Sequence, residues 1–330
     1  MLVVRFSSIG DVLLTTPLLR AIRQRHPGAH LTVLTKTAYA PLLTDNPRLD
    51  RVIAIGPGEA LPALAARLRA DRFTHLLDLH QSLRSRALRV LVPGSWSTYP
   101  KHRMARSLLI HTKRDRYRAR RSVAERYFAA ARGLDVRPDG APPEFFFGSD
   151  VDLEAARWLA QDGMTHEAYV AAAPGAAHAT KRWPLNQWRA LLARLDARGV
   201  PVVLVGGDGD ATMAEALRAE RPGRTRTAAG RAGLQLTGAL LKRAAVVVSG
   251  DTGAMHMASG VGTPVVALFG PTVEAFGFFP YTPLAQVLQR DLECRPCSSQ
   301  GGPRCPLAHH RCMADISPDE VAAAVTRWLP

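Results

Sequence analysis

Long hydrophobic runs are absent from this 330-residue sequence. No apolar stretch reaches the roughly eighteen residues that a membrane-spanning helix needs. The start, MLVVRFSSIGDVLL, has no basic segment followed by an apolar core and a small-residue cleavage site. We therefore expect a soluble protein that is not exported. Because 47% of the residues are hydrophobic, each half of a chain this long can bury its own core.

Cysteine is missing from most of the chain: the first 293 residues contain none. The four cysteines are Cys294, Cys297, Cys305 and Cys312. A structural disulfide is disfavoured in a protein that is not exported, so the cluster indicates either a metal site or buried, reversibly oxidised thiols. The spacing C-x2-C-x7-C-x6-C is compatible with a tetrahedral four-thiolate site, although two C-x2-C pairs would be a stronger signal.

Two common phosphate-binding motifs are also lacking. No Gly-x-Gly-x-x-Gly follows the first predicted strand, and no Gly-x-x-x-x-Gly-Lys-Ser/Thr occurs anywhere. Hydride transfer and P-loop chemistry therefore both lose support.

Acidic residues are few compared with basic ones, 28 Asp and Glu against 43 Lys and Arg, for a formal net charge of +15. This charge favours nucleic acid, an anionic membrane surface or a phosphorylated substrate as partner. Residues 84–126 contain thirteen basic residues and two acids, and they form either a solvated helical face or an anion-binding surface. Nucleic-acid binding predicts interleaved aromatic residues, but this stretch has only three.

Short apolar runs alternate with longer helical patterns along the chain, which is typical of βα units on a parallel sheet. The predicted strands are residues 2–6, 31–34, 52–55, 75–79, 169–173, 202–205, 246–249 and 265–269. A Pro- and Gly-rich stretch, residues 138–148, interrupts the alternation. The sequence therefore predicts an α/β protein with two Rossmann-like domains, residues 1–150 and 151–330, and a cleft at the carboxyl ends of the strands.

A final helix is predicted over residues 318–329. Ser317-Pro318-Asp319-Glu320 has the form of a capping box, which marks the start of a helix. We expect this helix to lie in the second domain or to pack back on the first.

A candidate catalytic carboxylate follows the first strand, in Ser7-Ser8-Ile9-Gly10-Asp11. Gly10 permits a tight turn, so Asp11 is placed at the mouth of the expected cleft. The alternative is that Asp11 only caps the helix that follows.

Two motifs in the second half suit a nucleoside diphosphate. The loop that carries Thr180, Lys181 and Arg182 follows a strand, and its hydroxyl and cationic donors can neutralise a leaving phosphate; a basic surface loop is the alternative. The segment Ser249-Gly250-Asp251-Thr252-Gly253 joins a strand to a helix and predicts an anion site at the helix N-terminus. His256, one turn along, is either a further donor or an ordinary helix residue.

A third segment, Gly206-Gly207-Asp208-Gly209-Asp210, can bring the backbone close to a ligand. An acid just beyond the glycines can accept hydrogen bonds from ribose hydroxyls. Two carboxylates alone make a weak divalent-metal site, and glycine-flanked aspartates are more often turn residues.

With these motifs in this order, the sequence resembles the ADP-heptose:lipopolysaccharide heptosyltransferases, glycosyltransferase family 9. The similarity runs almost end to end, and the cysteine segment is closer to the heptosyltransferase II and III branches. Its most specific pieces are Lys181-Arg182-Trp183-Pro184, Asp251-Thr252-Gly253-Ala254-Met255-His256 and residues 264–272. The resemblance implies a GT-B fold and an inverting transfer of heptose from ADP-heptose to the lipopolysaccharide inner core, without a catalytic metal.

The resemblance also implies roles for individual residues. Asp11 resembles the general base. The residues similar to the donor site are Thr180, Lys181, Asp208, Asp251, Thr252, Gly253 and His256, with Asp210 as the alternative to Asp208. The first domain is expected to bind the acceptor, a Kdo- or heptose-bearing lipid A, through Arg103, Arg106, Arg116 and Arg120.

The implied location is the cytoplasmic face of the anionic inner membrane, and the implied partners do not include nucleic acid. Some relatives hold a structural metal, zinc or iron, with four cysteines like those in this chain. Two alternatives remain from the residues alone: a GT-B transferase or epimerase that uses another nucleotide-hexose, and a basic nucleic-acid-binding protein with a four-cysteine metal site.

Overall fold

The computed structural model describes residues 1–161, 164 and 168–330, which form two compact units. Unit 1 comprises Met1–Lys101 and Arg121–Phe146, and unit 2 comprises His102–Arg120 and Phe147–Pro330. Among the described residues, no helix is both long and apolar enough to cross a membrane.

The strands are β1 (Leu2–Val4), β2 (Thr32–Lys36), β3 (Arg51–Ile55), β4 (His75–Asp78), β5 (Ser95–Thr98), β6 (Val170–Ala173), β7 (Val202–Leu204), β8 (Thr225–Thr227), β9 (Val246–Gly250), β10 (Val265–Phe269) and β11 (Ala285–Gln289). The helices are α1 (Ile9–Leu13), α2 (Thr16–Arg25), α3 (Leu61–Ala70), α4 (Leu83–Leu91), α5 (Arg103–Thr112), α6 (Val123–Tyr127), α7 (Ser149–Ala160), α8 (Leu185–Asp196), α9 (Ala211–Ala219), α10 (Leu234–Arg243), α11 (Gly253–Val261), α12 (Arg311–Ala314) and α13 (Pro318–Thr326).

Both units contain a parallel sheet with the strand order of a Rossmann fold. In unit 1 the order is β3-β2-β1-β4-β5, and in unit 2 it is β11-β10-β9-β6-β7-β8. Strands β1, β6, β9 and β10 are buried along their whole length because helices cover both faces, which is why they appear in the sequence as continuous apolar runs. The prediction of an α/β protein with two Rossmann-like units is confirmed.

The helix expected after β1 is divided into α1 and α2. The hydroxyls of Thr15 and Thr16 donate to the carbonyls of Val12 and Leu13, and Pro17 has no N–H to continue the helical pattern. The short α1 carries Asp11 as a separate turn at the carboxyl edge of the sheet.

The last helix, α13, packs within unit 2. Val321 and Val325 join the buried cluster that contains Trp188 and Leu191 of α8. The capping box is present, since the Ser317 hydroxyl accepts from the Glu320 N–H and the Glu320 carboxylate accepts from the Ser317 N–H.

The sequence-based division at residue 150 places α5 in the first domain, but α5 belongs to unit 2. Leu109 packs with Ala275 and Phe276, and the Arg106 guanidinium lies 5.3 Å from the Phe276 ring centre. These long-range contacts, more than 160 positions apart in sequence, are the reason that the segment does not remain with its chain neighbours.

Candidate active site

Asp11 is bound on both of its carboxylate oxygens. Oδ2 accepts from the N–H of Ser8 at 3.2 Å and from its hydroxyl at 3.0 Å, in a capping box at the start of α1. Oδ1 lies 2.6 Å from Nη2 of Arg5. The carboxylate therefore caps its helix, as the alternative interpretation proposed, and also forms an ion pair with a nearly buried arginine. With 18% of its side chain exposed, it remains open to a substrate.

Arg5, the ion-pair partner of the Asp11 carboxylate, is itself held by backbone carbonyls. Its Nε donates to the Ser7 carbonyl at 2.8 Å and its Nη1 to the Leu79 carbonyl at 2.6 Å. Burial disfavours a charged guanidinium, but Tyr127 and Asp11 more than offset burial and raise the pKa of Arg5. Arg5 is thus a permanent cation that ties the β1 and β4 ends of the sheet to Asp11.

His80 lies beside this ion pair, at the end of β4, with its ring 4.9 Å from that of Phe6. Burial, together with the nearby cations of Arg5 and Lys101, lowers the pKa of His80 to about 4. Lys101 also donates to the His80 carbonyl. The edge of the unit 1 sheet therefore presents a carboxylate, a neutral imidazole and two cations.

In unit 2, Lys181 forms an ion pair with Asp251. Its Nζ lies 2.6 Å from Oδ2 of Asp251, whose side chain is 8% exposed, and Thr272 donates to the same oxygen at 2.8 Å. The Asp251 carboxylate thus holds the ammonium group in place and does not cap the helix. This arrangement joins two of the motifs, although 70 positions separate them.

Helix α11 begins next to this pair, with Thr252 at its N-cap. The Thr252 hydroxyl is 2.8 Å from that of Ser249, so the side chain leaves the first amides of the helix without a side-chain cap. Free amides at a helix N-terminus favour an anion. His256 is 3% exposed and faces the interior of the unit.

Thr180 is not available as a phosphate ligand in this structure. It is 4% exposed, and its hydroxyl donates to the Gly302 carbonyl at 3.2 Å and accepts from the Gly302 N–H at 2.8 Å. The residue instead joins the Lys181 loop to the cysteine segment, residues 294–312.

The two aspartates after β7 differ in their surroundings. Asp210 accepts from the Gly207 N–H at 3.1 Å, and its carboxylate fills the space over Gly175 and Gly206. Asp208 is exposed, and the described residues give its side chain no hydrogen bond or ion pair. Asp210 is thus a turn-forming residue, whereas the Asp208 side chain is exposed.

The four arginines expected to bind the acceptor all lie in unit 2, not in the first domain. Arg106 packs over Phe276 and Phe278, and Arg120 pairs with Asp115 at 2.6 Å. Arg103 and Arg116 are exposed. Arg106 and Arg120 are therefore packed or paired, whereas Arg103 and Arg116 are exposed cations.

The four cysteines all lie in one segment, residues 294–312. In the described part of the chain, no group of three or more His, Cys, Asp or Glu side chains could hold a metal ion. Asp208 and Asp210 are therefore not part of such a group either. All four thiols are free. Burial raises the pKa of Cys297 and raises that of Cys312 to about 11, whereas a metal binds thiolates. Burial thus favours the protonated thiol at Cys297 and Cys312, and the metal site stays a prediction from the spacing.

Sequence reasoning missed the residues that organise these motifs: Arg5, Thr272 and Gly302. One signal was available, since Arg5 is a charge placed between the apolar run LVV and Phe6. Thr272 and Gly302 gave no local sign, because their partners lie 21 and 122 positions away.

Comparisons with known proteins place the chain in a family. Residues 61–306 match the profile of glycosyltransferase family 9 (heptosyltransferase). The chain is 24% identical to lipooligosaccharide heptosyltransferase 2 of Haemophilus influenzae over 96% of each chain. It is 26% identical to lipopolysaccharide heptosyltransferase 2 of Escherichia coli K12, over 83% of this chain and 84% of the relative.

A solved structure of E. coli ADP-heptose LPS heptosyltransferase II has the same fold. It superposes with a TM-score of 0.77 at 24% identity, over 99% of this chain and 97% of that one. The expected GT-B fold is thereby confirmed. Since the family profile spans most of the sequence, the protein is a glycosyltransferase that belongs to glycosyltransferase family 9, the heptosyltransferases.

Proposed function

We propose that the protein transfers a heptose from ADP-heptose to the inner core of lipopolysaccharide, with inversion at the anomeric carbon. The match of residues 61–306 to the heptosyltransferase family carries this proposal. The relatives named above are heptosyltransferases acting on lipopolysaccharide or lipooligosaccharide. The family supports this function and neither alternative, the hexose transferase or epimerase and the nucleic-acid-binding protein.

Asp11 is the general base, and unit 1 receives the acceptor. An inverting transfer needs one carboxylate to take the proton of the acceptor hydroxyl as that hydroxyl attacks. The Arg5 ion pair at 2.6 Å holds such a carboxylate in place, and 18% of the Asp11 side chain is exposed.

Unit 2 binds the donor. Lys181 and the N-terminal amides of α11 face the diphosphate, and both stabilise the negative charge that grows on departing ADP. Thr252 and Gly253 contribute backbone amides, and Asp251 acts through Lys181. Asp208 accepts from the ribose hydroxyls. Because Lys181 and the helix amides supply positive charge at the phosphates, the transfer does not need a divalent cation.

The basic segment of unit 2, residues 114–118, contacts the anionic membrane that displays the acceptor. Arg114, Arg116 and Arg118 follow α5 and are exposed, and on α5 itself Met104 is 88% exposed. Cations beside an exposed apolar side chain favour an anionic bilayer surface, at about 1 kcal/mol for each basic residue near it. The protein therefore works at the cytoplasmic face of the inner membrane, where it captures lipid-linked acceptor.

A mass-spectrometric transfer assay tests the proposal. The purified protein is incubated with ADP-heptose and a panel of truncated lipopolysaccharide acceptors, with ADP-glucose as the control donor and one series in EDTA. We expect one acceptor to gain the mass of a single heptose, only from ADP-heptose and equally in EDTA. Transfer from the hexose donor alone would refute heptose as substrate. Activity lost in EDTA and restored by Mg²⁺ would refute metal independence.

A further inference from the structure

The cysteine segment, residues 294–312, lies against the Lys181 loop. Beyond the two bonds to its hydroxyl, Thr180 donates its backbone N–H to the Gly302 carbonyl at 3.1 Å. The Thr180 carbonyl accepts from Nε2 of His310 at 2.9 Å. Thr180 is therefore held by its amide, carbonyl and hydroxyl, all through residues of one distant segment.

Gly301 shows how closely the two segments approach. A Cβ at this position would lie 2.8 Å from Cβ of His178 and 3.2 Å from Cγ of Lys181, and the φ of Gly301 is +95°. Both the space and the backbone angle therefore require glycine here. At the neighbouring Gly302, a Cβ would meet nothing closer than the Arg304 carbonyl oxygen at 3.9 Å.

The cysteine segment also reaches Asp251, the ion-pair partner of Lys181, through Thr272. Arg295 donates to the carbonyls of Gly270 and Thr272, at 2.5 and 2.8 Å. Thr272 in turn donates to Asp251, the partner of Lys181. The cysteine segment thus contacts the lysine loop directly and reaches its counter-ion through Thr272.

We infer that the cysteine segment positions Lys181 for the donor diphosphate, with Gly301 and His310 as positioning residues. This inference rests on the proposed donor site. Lys181 has a long, flexible side chain, and a cation contributes to phosphate binding only if it is held where the phosphate lies. The segment fixes the backbone at Thr180, next to Lys181, and Gly301 lies close to Cγ of Lys181. Arg295 fixes the loop that carries Thr272.

Adjacent glycines provide a matched test, Gly301→Ala against Gly302→Ala. Both substitutions add one methyl group to the same loop and leave the backbone hydrogen bonds of Gly302 in place. For Gly301→Ala we expect ADP binding, measured by calorimetry, to weaken about tenfold or more. The KM for ADP-heptose should rise with it, and the melting temperature should fall because a φ of +95° strains alanine. The acceptor KM should stay close to that of Gly302→Ala, which should match wild type.

A second pair at His310 covers the case in which Gly301→Ala does not fold. His310→Phe keeps a ring but removes the donor to Thr180, whereas His310→Gln retains an N–H. We expect weaker ADP binding in His310→Phe and partial recovery in His310→Gln.

Four outcomes would count against the inference, the proposed function or both. Wild-type ADP affinity in both Gly301→Ala and His310→Phe would overturn the inference, as would a parallel loss of donor affinity, acceptor affinity and stability. If the wild-type protein binds ADP but transfers no heptose, the proposed function is refuted. The ADP affinities of the variants then still test the positioning role. No ADP binding by wild type would refute both.

Discussion

The guanidinium of Arg5 lies 2.6 Å from the carboxylate of Asp11 and donates at the same time to the carbonyls of Ser7 and Leu79. The ion pair is therefore part of the sheet edge and not a mobile surface contact. Its partners come from the loops after β1 and β4, two strands that pair directly. The position of the proposed base is thus set by the backbone of unit 1.

Removing Arg5 should change how activity depends on pH. In Arg5→Met, a carboxylate without its cation is harder to ionise, so the acidic limb of the kcat/KM profile should move to higher pH. Arg5→Lys retains the charge and should move it less. Profiles with unchanged acidic limbs in both variants would show that Arg5 does not act on the catalytic group.

Lys181→Ala should weaken ADP binding about 10- to 100-fold, because a charge-assisted hydrogen bond contributes roughly 1.5–3 kcal/mol. Turnover should also fall, since the cation acts more strongly as the phosphate leaves. Lys242→Ala, at an exposed lysine of the same unit, is the control. Equal ADP affinity in the two variants by calorimetry would remove Lys181 from the donor site.

His80 should make stability depend on pH. The unfolded chain protonates this histidine near its ordinary pKa of 6.5, whereas the folded protein does so only near 4. Its contribution is therefore present above pH 6.5 and is lost as the pH falls toward 4. Between pH 7 and 4.5, His80→Gln should lose less unfolding free energy than wild type, whereas His111→Gln, at an exposed site, should behave like wild type. Equal losses in all three proteins would contradict this account of His80.

Charge reversal should separate acceptor capture from donor binding. We choose Arg114, Arg116 and Arg118, because reversing Arg106 or Arg120 would also break packing or an ion pair. The triple change to Glu should raise the acceptor KM and reduce binding to phosphatidylglycerol vesicles at low salt, with ADP affinity unchanged.

The control for charge reversal is Arg132→Glu with Arg137→Glu, two exposed sites in unit 1. If the triple variant binds vesicles and acceptor as well as this control does, the basic segment is only a solvated face.

Much of the fold could be predicted because its central strands are buried on both faces. The run VVALF, for example, was predicted at residues 265–269, where β10 lies. The edge strands β5, β8 and β11 were missed, since SWST, TRT and AQVLQ are not continuous apolar runs. The place of α5 could not be predicted either, because it depends on contacts with Ala275 and Phe276.

The candidate site was predictable as motifs but not as a network. Asp11 and Lys181 follow strands, so their positions at the sheet edges follow from topology. Their ion pairs with Arg5 and Asp251, and the bonds of Thr180 to Gly302, depend on side-chain packing across the chain. The cysteine spacing left a metal site and buried thiols as alternatives, because spacing alone does not report burial, which raises the pKa of Cys312 to about 11.

The most direct test of the account measures heptose transfer and ADP affinity together in wild type and Asp11→Asn. Asparagine keeps the size of the side chain but cannot take a proton, so turnover should fall about 100- to 10,000-fold. ADP affinity should stay within about twofold of wild type, because the base acts on the acceptor. If Asp11→Asn keeps more than about a tenth of wild-type turnover, a loss too small for a missing general base, Asp11 is only a helix cap.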